Sequence, residues 1–369
     1  MAKICHITSA HQPGDIRIFH KECSTLAAAG FDVFLVVPWK INEVKNGVTI
    51  IGAGLPDNLS RRQRLLGSAG AVWRKARSLN ADIYHFHDPD LLRYAGKMTK
   101  TGAKVIYDSH EDLPRQVKSK YYIPGWMRDP LSRYLERYEN KVVRRIWGVV
   151  AATPLILKRF KQVNPNTVTV CNYPLLVEFD KDVPWTSRRR QVAYLGSITR
   201  VRGIVELVQA MEHVDAQLVL AGLFSPASLR DEVKQLPGWK KVKELGFVDR
   251  GEVASILAES KVGVVTLYPQ DNYRESLPIK LFEYMAAGVP VVASDFPLWK
   301  AIVEGNQCGV CANPQNAGDI AAALQKILSD DEGARIMGRN GRRAVLEMYN
   351  WHQEGEKLVK FYKKALEVV

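Results

Sequence analysis

Two glutamates, Glu275 and Glu283, bracket the stretch of this chain with the most concentrated chemistry, the segment from Tyr268 to Asp295 that reads as loop, helix, turn and strand. Ser276 and Pro278 mark a helix start, because a hydroxyl can cap free backbone N–H groups and a proline has no N–H to leave unpaired in the first turn. Gly288 marks its end. The leading N–H groups and the helix dipole favour an anion such as a phosphate, and Lys280 adds a mobile cation beside them. Carboxylates accept hydroxyl hydrogens, so this arrangement suits a molecule that carries sugar, diphosphate and ribose in one line. A surface acid followed by an ordinary amphipathic helix has the same spacing, and spacing alone leaves both readings open.

A second set of reactive side chains sits at the ends of apolar runs. Ala81 to Asp90 and Val105 to Asp112 each read as a buried strand that breaks into a polar loop, which carries His87 and Asp88 in the first case and His110 and Glu111 in the second. Ligands of open α/β sheets bind outside the carboxyl ends of the strands, so these four residues lie where chemistry is expected. A single strand-end histidine is more often a packed, hydrogen-bonded one; two such ends shift the balance towards function. Asp88-Pro-Asp90 has the form of an Asp-x-Asp metal motif, but the fold that uses it would leave the C-terminal half unexplained. Cys308-Gly-Val-Cys311 has metal-like spacing without a second Cys/His pair, and all five cysteines read as reduced packing residues.

The elements that must position these groups follow a repeated strand–helix rhythm. Lys3–Thr8, a loop through Gly14, a helix to Ala29 and Phe31–Val37 form a βαβ opening, which implies a parallel sheet. Residues 172–190, with Pro174, Pro184 and the run Arg188-Arg189-Arg190, read as a linker. From Gln191 the rhythm restarts as a second doubly wound sheet, closing with helices to residue 350 and a final helix over 351–369 anchored by Trp351 and Phe361. The expected organisation is a first domain over 1–171, a linker over 172–190 and a second domain over 191–350.

At 369 residues the chain exceeds the usual size of a single core, and 46% hydrophobic content supplies two. A formal net charge of +13 suits an anionic partner: nucleotide, nucleic acid or acidic lipid. A basic amphipathic helix over Asn58–Leu79 and an aromatic, basic region over Tyr121–Arg145 suit a membrane surface, and a solvated face over a buried stripe equally well. No nucleic-acid recognition motif accompanies the charge. No run approaches the roughly 20 apolar residues of a membrane span, and no signal peptide precedes the first strand, so a cytoplasmic chain is expected, with peripheral contact to the inner membrane face as one option.

The block Ser276-Leu-Pro-Ile-Lys-Leu-Phe-Glu-Tyr-Met-Ala-Ala-Gly-Val-Pro-Val-Val-Ala-Ser294, with Glu275 before it, resembles the Glu-x7-Glu signature of the large group 1 / family 4 class of retaining, nucleotide-sugar-dependent glycosyltransferases. The resemblance implies the GT-B fold: two Rossmann-like α/β domains facing a cleft, with the last helix crossing back to the first. It implies that Glu275 contacts the donor sugar, that Glu283 holds the ribose, and that Ser276, Leu277 and Pro278 meet sugar and phosphate. Tyr194 to Gly203 resembles the diphosphate turn, with Arg202 as its cation; Ser197 stands where a second basic residue is common, and Arg200 is the compensating candidate. Gly246, Phe247 and Val248 resemble the segment beside the base, and Gly14 the loop facing donor and acceptor. His87 resembles the histidine at the sugar–phosphate junction, while Asp15, Arg17, His110 and Glu111 fall on the acceptor side. Arg202, Lys280 and the helix start could stabilise a leaving diphosphate without a metal, and no glycosidase-like carboxylate pair is evident, which favours front-face transfer with retention. The expected partners are a UDP- or GDP-sugar and a glycan or lipid-linked acceptor of the bacterial envelope, with no cofactor. A nucleotide-sugar epimerase of the same fold and a non-catalytic sugar-nucleotide-binding protein are the competing readings.

Overall fold

The computed structural model describes residues 1–56, 67–118, 120, 123–181 and 183–367. The chain forms two compact units, Met1–Asn172 together with His352–Val369, and Tyr173–Trp351.

The first unit is built on an eight-stranded sheet. Its strands are β1 (Lys3–Ile7), β2 (Asp32–Val37), β3 (Asn42–Lys45), β4 (Val48–Gly52), β5 (Ile83–Phe86), β6 (Lys104–Ser109), β7 (Gly148–Ala151) and β8 (Thr167–Thr169), in the order β3-β4-β2-β1-β5-β6-β7-β8. Every pairing is parallel except β3 with β4. That hairpin was not anticipated, although its turn residues, Asn46 and Gly47, both take the positive φ that a tight two-residue turn demands. Apolar strands such as β1 and β5 are buried along their length because helices cover both faces of a parallel sheet. One core cluster joins Ile7, Phe86 and Tyr107 to Val72 and Trp73 of the helix Ala69–Arg77. The apolar stripe of that helix is therefore spent on the core, and Arg74 and Lys75 face solvent. The remaining residues of the expected basic helix, 57–66, lie outside the described ones, as does Tyr121. In the helix Gly125–Val143, Trp126 and Tyr134 are exposed while Tyr138 packs on the core. No described helix is long and apolar enough to cross a membrane.

The second unit has six parallel strands, β9 (Arg189–Leu195), β10 (Gln217–Ala221), β11 (Val242–Gly246), β12 (Ser260–Val265), β13 (Val291–Ser294) and β14 (Gly309–Ala312), in the order β11-β10-β9-β12-β13-β14. The segment expected as a linker belongs to this unit. Glu178 pairs with Arg250, and Arg342 binds the Phe179 carbonyl and Asp180, so its irregular backbone is tied down by guanidinium contacts rather than left to span two bodies. Arg188, from the arginine run, donates to the carbonyls of Ala287 and Gly288. It thereby closes the C-terminal end of the helix Ile279–Ala286, where carbonyls lack partners.

Strand order reverses around β1 in the first unit and around β9 in the second, and crevices at such points receive ligands in doubly wound folds. At β9 the crevice is shaped by Tyr284, a fully buried residue of the helix Ile279–Ala286 whose hydroxyl accepts a 3.1 Å bond from the Leu195 N–H. Its ring lies so close to β12 that a Cβ on Gly263 would come within 2.4 Å of it. Gly263→Ala is expected to displace the ring and destabilise the fold by about 1–3 kcal/mol. An unchanged midpoint in guanidinium unfolding would show that this helix does not depend on that close approach.

Candidate nucleotide-sugar site

The site is assembled on the second unit from two backbone features at the carboxyl ends of β9 and β12. After β9 the chain turns through Gly196 and a short 3-10 segment, Arg200–Arg202, into the helix Ile204–Met211. Gly203 ends that segment at φ 71°, and a Cβ there would sit 2.3 Å from the Thr266 carbonyl oxygen, so only glycine lets the turn close against the end of β12. Tyr194, the penultimate residue of β9, holds the turn from below: its hydroxyl donates towards the Ser197 carbonyl at 3.2 Å.

The second feature is the start of the helix Ile279–Ala286. Pro278 is its N-cap and no side chain caps it. This corrects the expected helix start, because the Ser276 hydroxyl donates instead to the Tyr273 carbonyl at 2.9 Å and does not reach the helix. No side chain therefore occupies this helix start, the kind of end at which anions bind in other proteins. Trp299 anchors the preceding loop by donating to the Ser276 carbonyl at 2.8 Å. Glu275 and Leu277 lie on this loop, Glu275 exposed.

Lys280 is buried, not mobile as expected: its Nζ lies 4.1 Å from the centroid of the Tyr194 ring and has no hydrogen-bond partner among the described residues. Burial, then the neighbouring Arg202 guanidinium, pushes its ammonium down to about 7, against the opposing pull of Glu283. An ammonium held over an aromatic face in a dry site, beside a second cation, is poised to accept an anion.

Glu283 follows one turn later on the same helix face and is buried. Arg250 Nη1 lies 2.7 Å from its Oε1, and Arg250 is itself held by Glu178 and by the Phe179 ring. Arg250 was not foreseen as a site residue. Its only sequence signal is its place inside the capping box formed by Asp249 and Glu252, which fixes the start of the helix Arg250–Glu259. Arg200, the compensating cation for Ser197, is committed to Glu232, and Ser197 is exposed. Gly246, at φ 72°, ends β11, and the following Phe247 is 78% exposed, a free aromatic face beside Val248.

In the first unit the strand ends gather a different cluster. Asp108, at the end of β6, is gripped by Arg17 through Nε at 3.1 Å and Nη2 at 2.9 Å, and it also meets His87 Nδ1 at 3.2 Å and His110 Nε2 at 3.0 Å. Although burial favours its neutral form, these partners hold its carboxyl well below the usual range. Arg17 is thus an interior ion-pair residue and not an open acceptor contact, and Asp15 caps the first helix by accepting from the Ile18 N–H at 2.9 Å. The His87 side chain is fully enclosed, its other nitrogen 2.9 Å from His6 Nδ1, and burial pulls it down to about 4. His110, with 21% of its side chain exposed, is open to a ligand, and so are Glu111 and Gly14. His11, not singled out from the sequence, is half-buried against Asp88. Burial lowers its basicity, but the Asp88 contact outweighs this and raises it. Asp88 also accepts from Thr8 Oγ1 and the Ser9 N–H, both at 2.7 Å, and Asp90 accepts from Ser9 Oγ at 2.7 Å, so both aspartates are occupied.

An uncapped helix start, a buried lysine and a buried carboxylate one turn on thus stand together on a doubly wound unit. Residues 178–344 match the model of the glycosyl transferases group 1, and residues 17–172 match that of glycosyltransferase family 4. An uncharacterised glycosyltransferase of Methanocaldococcus jannaschii is 28% identical over 209 residues, 52% of this chain and 52% of that protein. Sucrose-phosphate synthase from Thermosynechococcus elongatus superimposes with a TM-score of 0.81 at 20% identity over 100% of both chains. HepE from Anabaena, crystallised with UDP-glucose, gives 0.75 at 14% identity over 99% of this chain and 100% of its own. The fold is GT-B, and the chain belongs to the group 1 glycosyltransferases.

Removing the Arg250 side chain leaves the Glu283 carboxylate buried without its cation. Arg250→Ala is expected to cost about 1–3 kcal/mol of stability. Arg250→Lys should restore only part, since a compact ammonium cannot bridge Glu178 and Glu283 as the planar guanidinium does. Equal unfolding midpoints for wild type and Arg250→Ala would remove Arg250 from the site's support.

Proposed function

We propose that this chain transfers a sugar, with retention of anomeric configuration, from a UDP- or GDP-sugar held on the second unit to a glycan or lipid-linked acceptor in envelope polysaccharide or glycoconjugate synthesis. The observation that carries this reading is the buried Lys280 amine at an uncapped helix start, with Arg202 beside it and Glu283 one turn on. In this reading the helix N–H groups, Lys280 and Arg202 receive the diphosphate, and Glu283, oriented by Arg250, accepts the ribose hydroxyls. Glu275 meets the sugar, and Phe247 offers its face to the base. As the glycosidic bond to phosphate breaks, negative charge grows on the diphosphate, and preplaced cations and dipoles stabilise it most at the transition state. They supply this charge without a metal at the phosphates. His110 and Glu111 are the acceptor-side candidates in the first unit; enclosed His87 acts behind His110 through Asp108. The cationic helix Ala69–Arg77 and exposed Trp126 are consistent with an anionic membrane surface as a further partner.

Incubation with a panel of UDP- and GDP-sugars tests the reading. Acceptor-dependent release of nucleoside diphosphate, undiminished when Mg²⁺ and Mn²⁺ are omitted, and an α-anomeric product from an α-donor are expected. Isomerisation of the sugar without acceptor would make the protein an epimerase, and binding without turnover a sugar-nucleotide-binding module. Lys280→Met and Arg202→Ala should lower kcat, by roughly tenfold for each 1.4 kcal/mol of lost transition-state stabilisation, while Glu283→Gln should chiefly raise the donor KM.

Lys280 also sets a pH signature. With its ammonium at about 7 in the free protein, it is charged below that pH and largely neutral above it. A bound diphosphate favours the charged form, so binding near neutrality should take up a proton and weaken as pH rises from 6 to 8. The nucleotide's own phosphate titrates in the same region, and the Lys280→Met protein separates the two. Calorimetry in buffers of different ionisation heat should find the uptake in wild type and not in Lys280→Met; identical proton linkage in both would exclude Lys280 from the anion site.

A further inference from the structure

Of the histidines clustered in the first unit, the transfer reading uses His87 and His110 and leaves His6 and His85 without a role. His6 on β1 pairs in register with His85 on β5, and His87 continues that ladder by donating its N–H to the Ile7 carbonyl at 3.1 Å. Side chains alternate along a strand, so His6, His85 and His87 stand on one face of the sheet. Ile16–Cys23 supplies Glu22 to the same point, and it is wound as a π-helix. Its i→i+5 repeat puts Arg17 and Glu22 one turn apart, with Arg17 Nε 3.0 Å from Glu22 Oε1. One ligand-type atom from each of His6, Glu22, His85 and His87 lies within 4.8 Å of the others, and all four residues are buried.

Three observations set this group apart from an ordinary histidine core. First, polar atoms lack hydrogen bonds there: among the described residues His85 Nε2 and Glu22 Oε2 have none, and Glu22 Oε1 has only the Arg17 ion pair. Buried groups without partners are rare and call for an explanation such as an ion. Second, two fully buried carboxyl groups, Glu22 and Asp108, share the single Arg17 guanidinium, at 3.0 Å and 2.9 Å. Third, the outward nitrogen of every imidazole already has an acceptor. His85 Nδ1 lies 2.5 Å and His6 Nε2 3.1 Å from the Tyr362 hydroxyl, and His87 Nδ1 lies 3.2 Å from Asp108. If those three nitrogens carry the protons, three lone pairs turn inward towards Glu22. Metal-bound histidines show this pattern, the second nitrogen donating to a carboxylate or hydroxyl that fixes the tautomer.

We infer that His6, His85, His87 and Glu22 form a closed structural site for one divalent transition-metal ion of the zinc type, a second site distinct in residues and in role from the nucleotide-sugar site. Bonds of about 2.0–2.1 Å give a tetrahedron with edges of about 3.3 Å. The His6–His87 separation of 2.9 Å and the His6–Glu22 separation of 3.9 Å straddle that edge. Three imidazoles and a carboxylate suit zinc, cobalt or nickel and are too nitrogen-rich for magnesium or calcium. With four protein ligands, none exposed, there is no open position for substrate, and the ion ties β1, β5 and the first helix together while Tyr362 brings in the last helix.

The test reads metal content and does not depend on glycosyl transfer, so its failure and that of the transfer reading are separable. Full-length protein is unfolded in denaturant with chelator, refolded with Zn²⁺ or Co²⁺, freed of loose metal by gel filtration and assayed by elemental analysis. About one ion per chain is expected, with the visible absorption of tetrahedral cobalt in the Co²⁺ sample. Glu22→Gln and His85→Gln should lose it, and His110→Asn, outside the ligand set, should keep it. Should the ligand variants fail to fold, Tyr362→Phe removes only the hydroxyl behind His6 and His85 and should weaken Co²⁺ binding by about 10–100-fold in competition with a chelator. Wild-type protein that holds less than about a tenth of an equivalent would overturn the assignment, as would full metal retention in Glu22→Gln and His85→Gln, or Tyr362→Phe binding as tightly as wild type.

Discussion

A positive charge kept out of water beside a second positive charge is the constraint on which the proposed nucleotide-sugar site depends. Lys280 has no hydrogen-bond partner among the described residues, lies over the Tyr194 ring and feels Arg202, so the site is least comfortable when empty and charged. Such an arrangement persists only if the surroundings hold it. Tyr284 joins the helix to β9, Gly203 lets the phosphate turn close on β12, and Arg188 and Arg342 bind the carbonyls at the far end of the helix. Part of what elsewhere stabilises a fold is here directed at placing charge where a ligand can use it.

The first unit handles buried charge in the opposite manner. Asp108 collects Arg17, His87 and His110 as partners, whereas Glu22, one π turn from Arg17, makes no hydrogen bond among the described residues. Burial pushes Glu22 well above the usual carboxylate range, with the nearby Asp108 charge adding to the effect, and pulls His6 and His85 well below the usual histidine range. Neutral imidazoles and a carboxyl that resists ionisation are what such a cavity holds without a cation; a cation reverses the preference of the carboxyl.

Sucrose-phosphate synthase from Thermosynechococcus elongatus and HepE from Anabaena share the fold at 20% and 14% identity. The polar cores do not follow from the fold. The histidine cluster of this chain is a property of particular side chains on a common scaffold.

The βαβ rhythm, the two-sheet organisation, the placement of Glu283 and Lys280 on one helix and the resemblance to the glycosyltransferase block were all legible in the chain, because strand runs, glycine stops and i, i+3 spacing are local. The Asn46-Gly47 turn was equally local and was simply missed. Tertiary structure alone decided what each side chain faces. Arg17 and Asp108 are 91 residues apart, and Tyr362 meets His6 across 356 residues, so no spacing announces them. Distance in the chain likewise hid the pairing of Arg200 with Glu232 and of Arg250 with Glu283, whereas Ser276 found its partner, the Tyr273 carbonyl, within its own loop. A sequence states which groups are available, but partners for buried charges are chosen by proximity after folding, when each polar group must find a mate or remain without one.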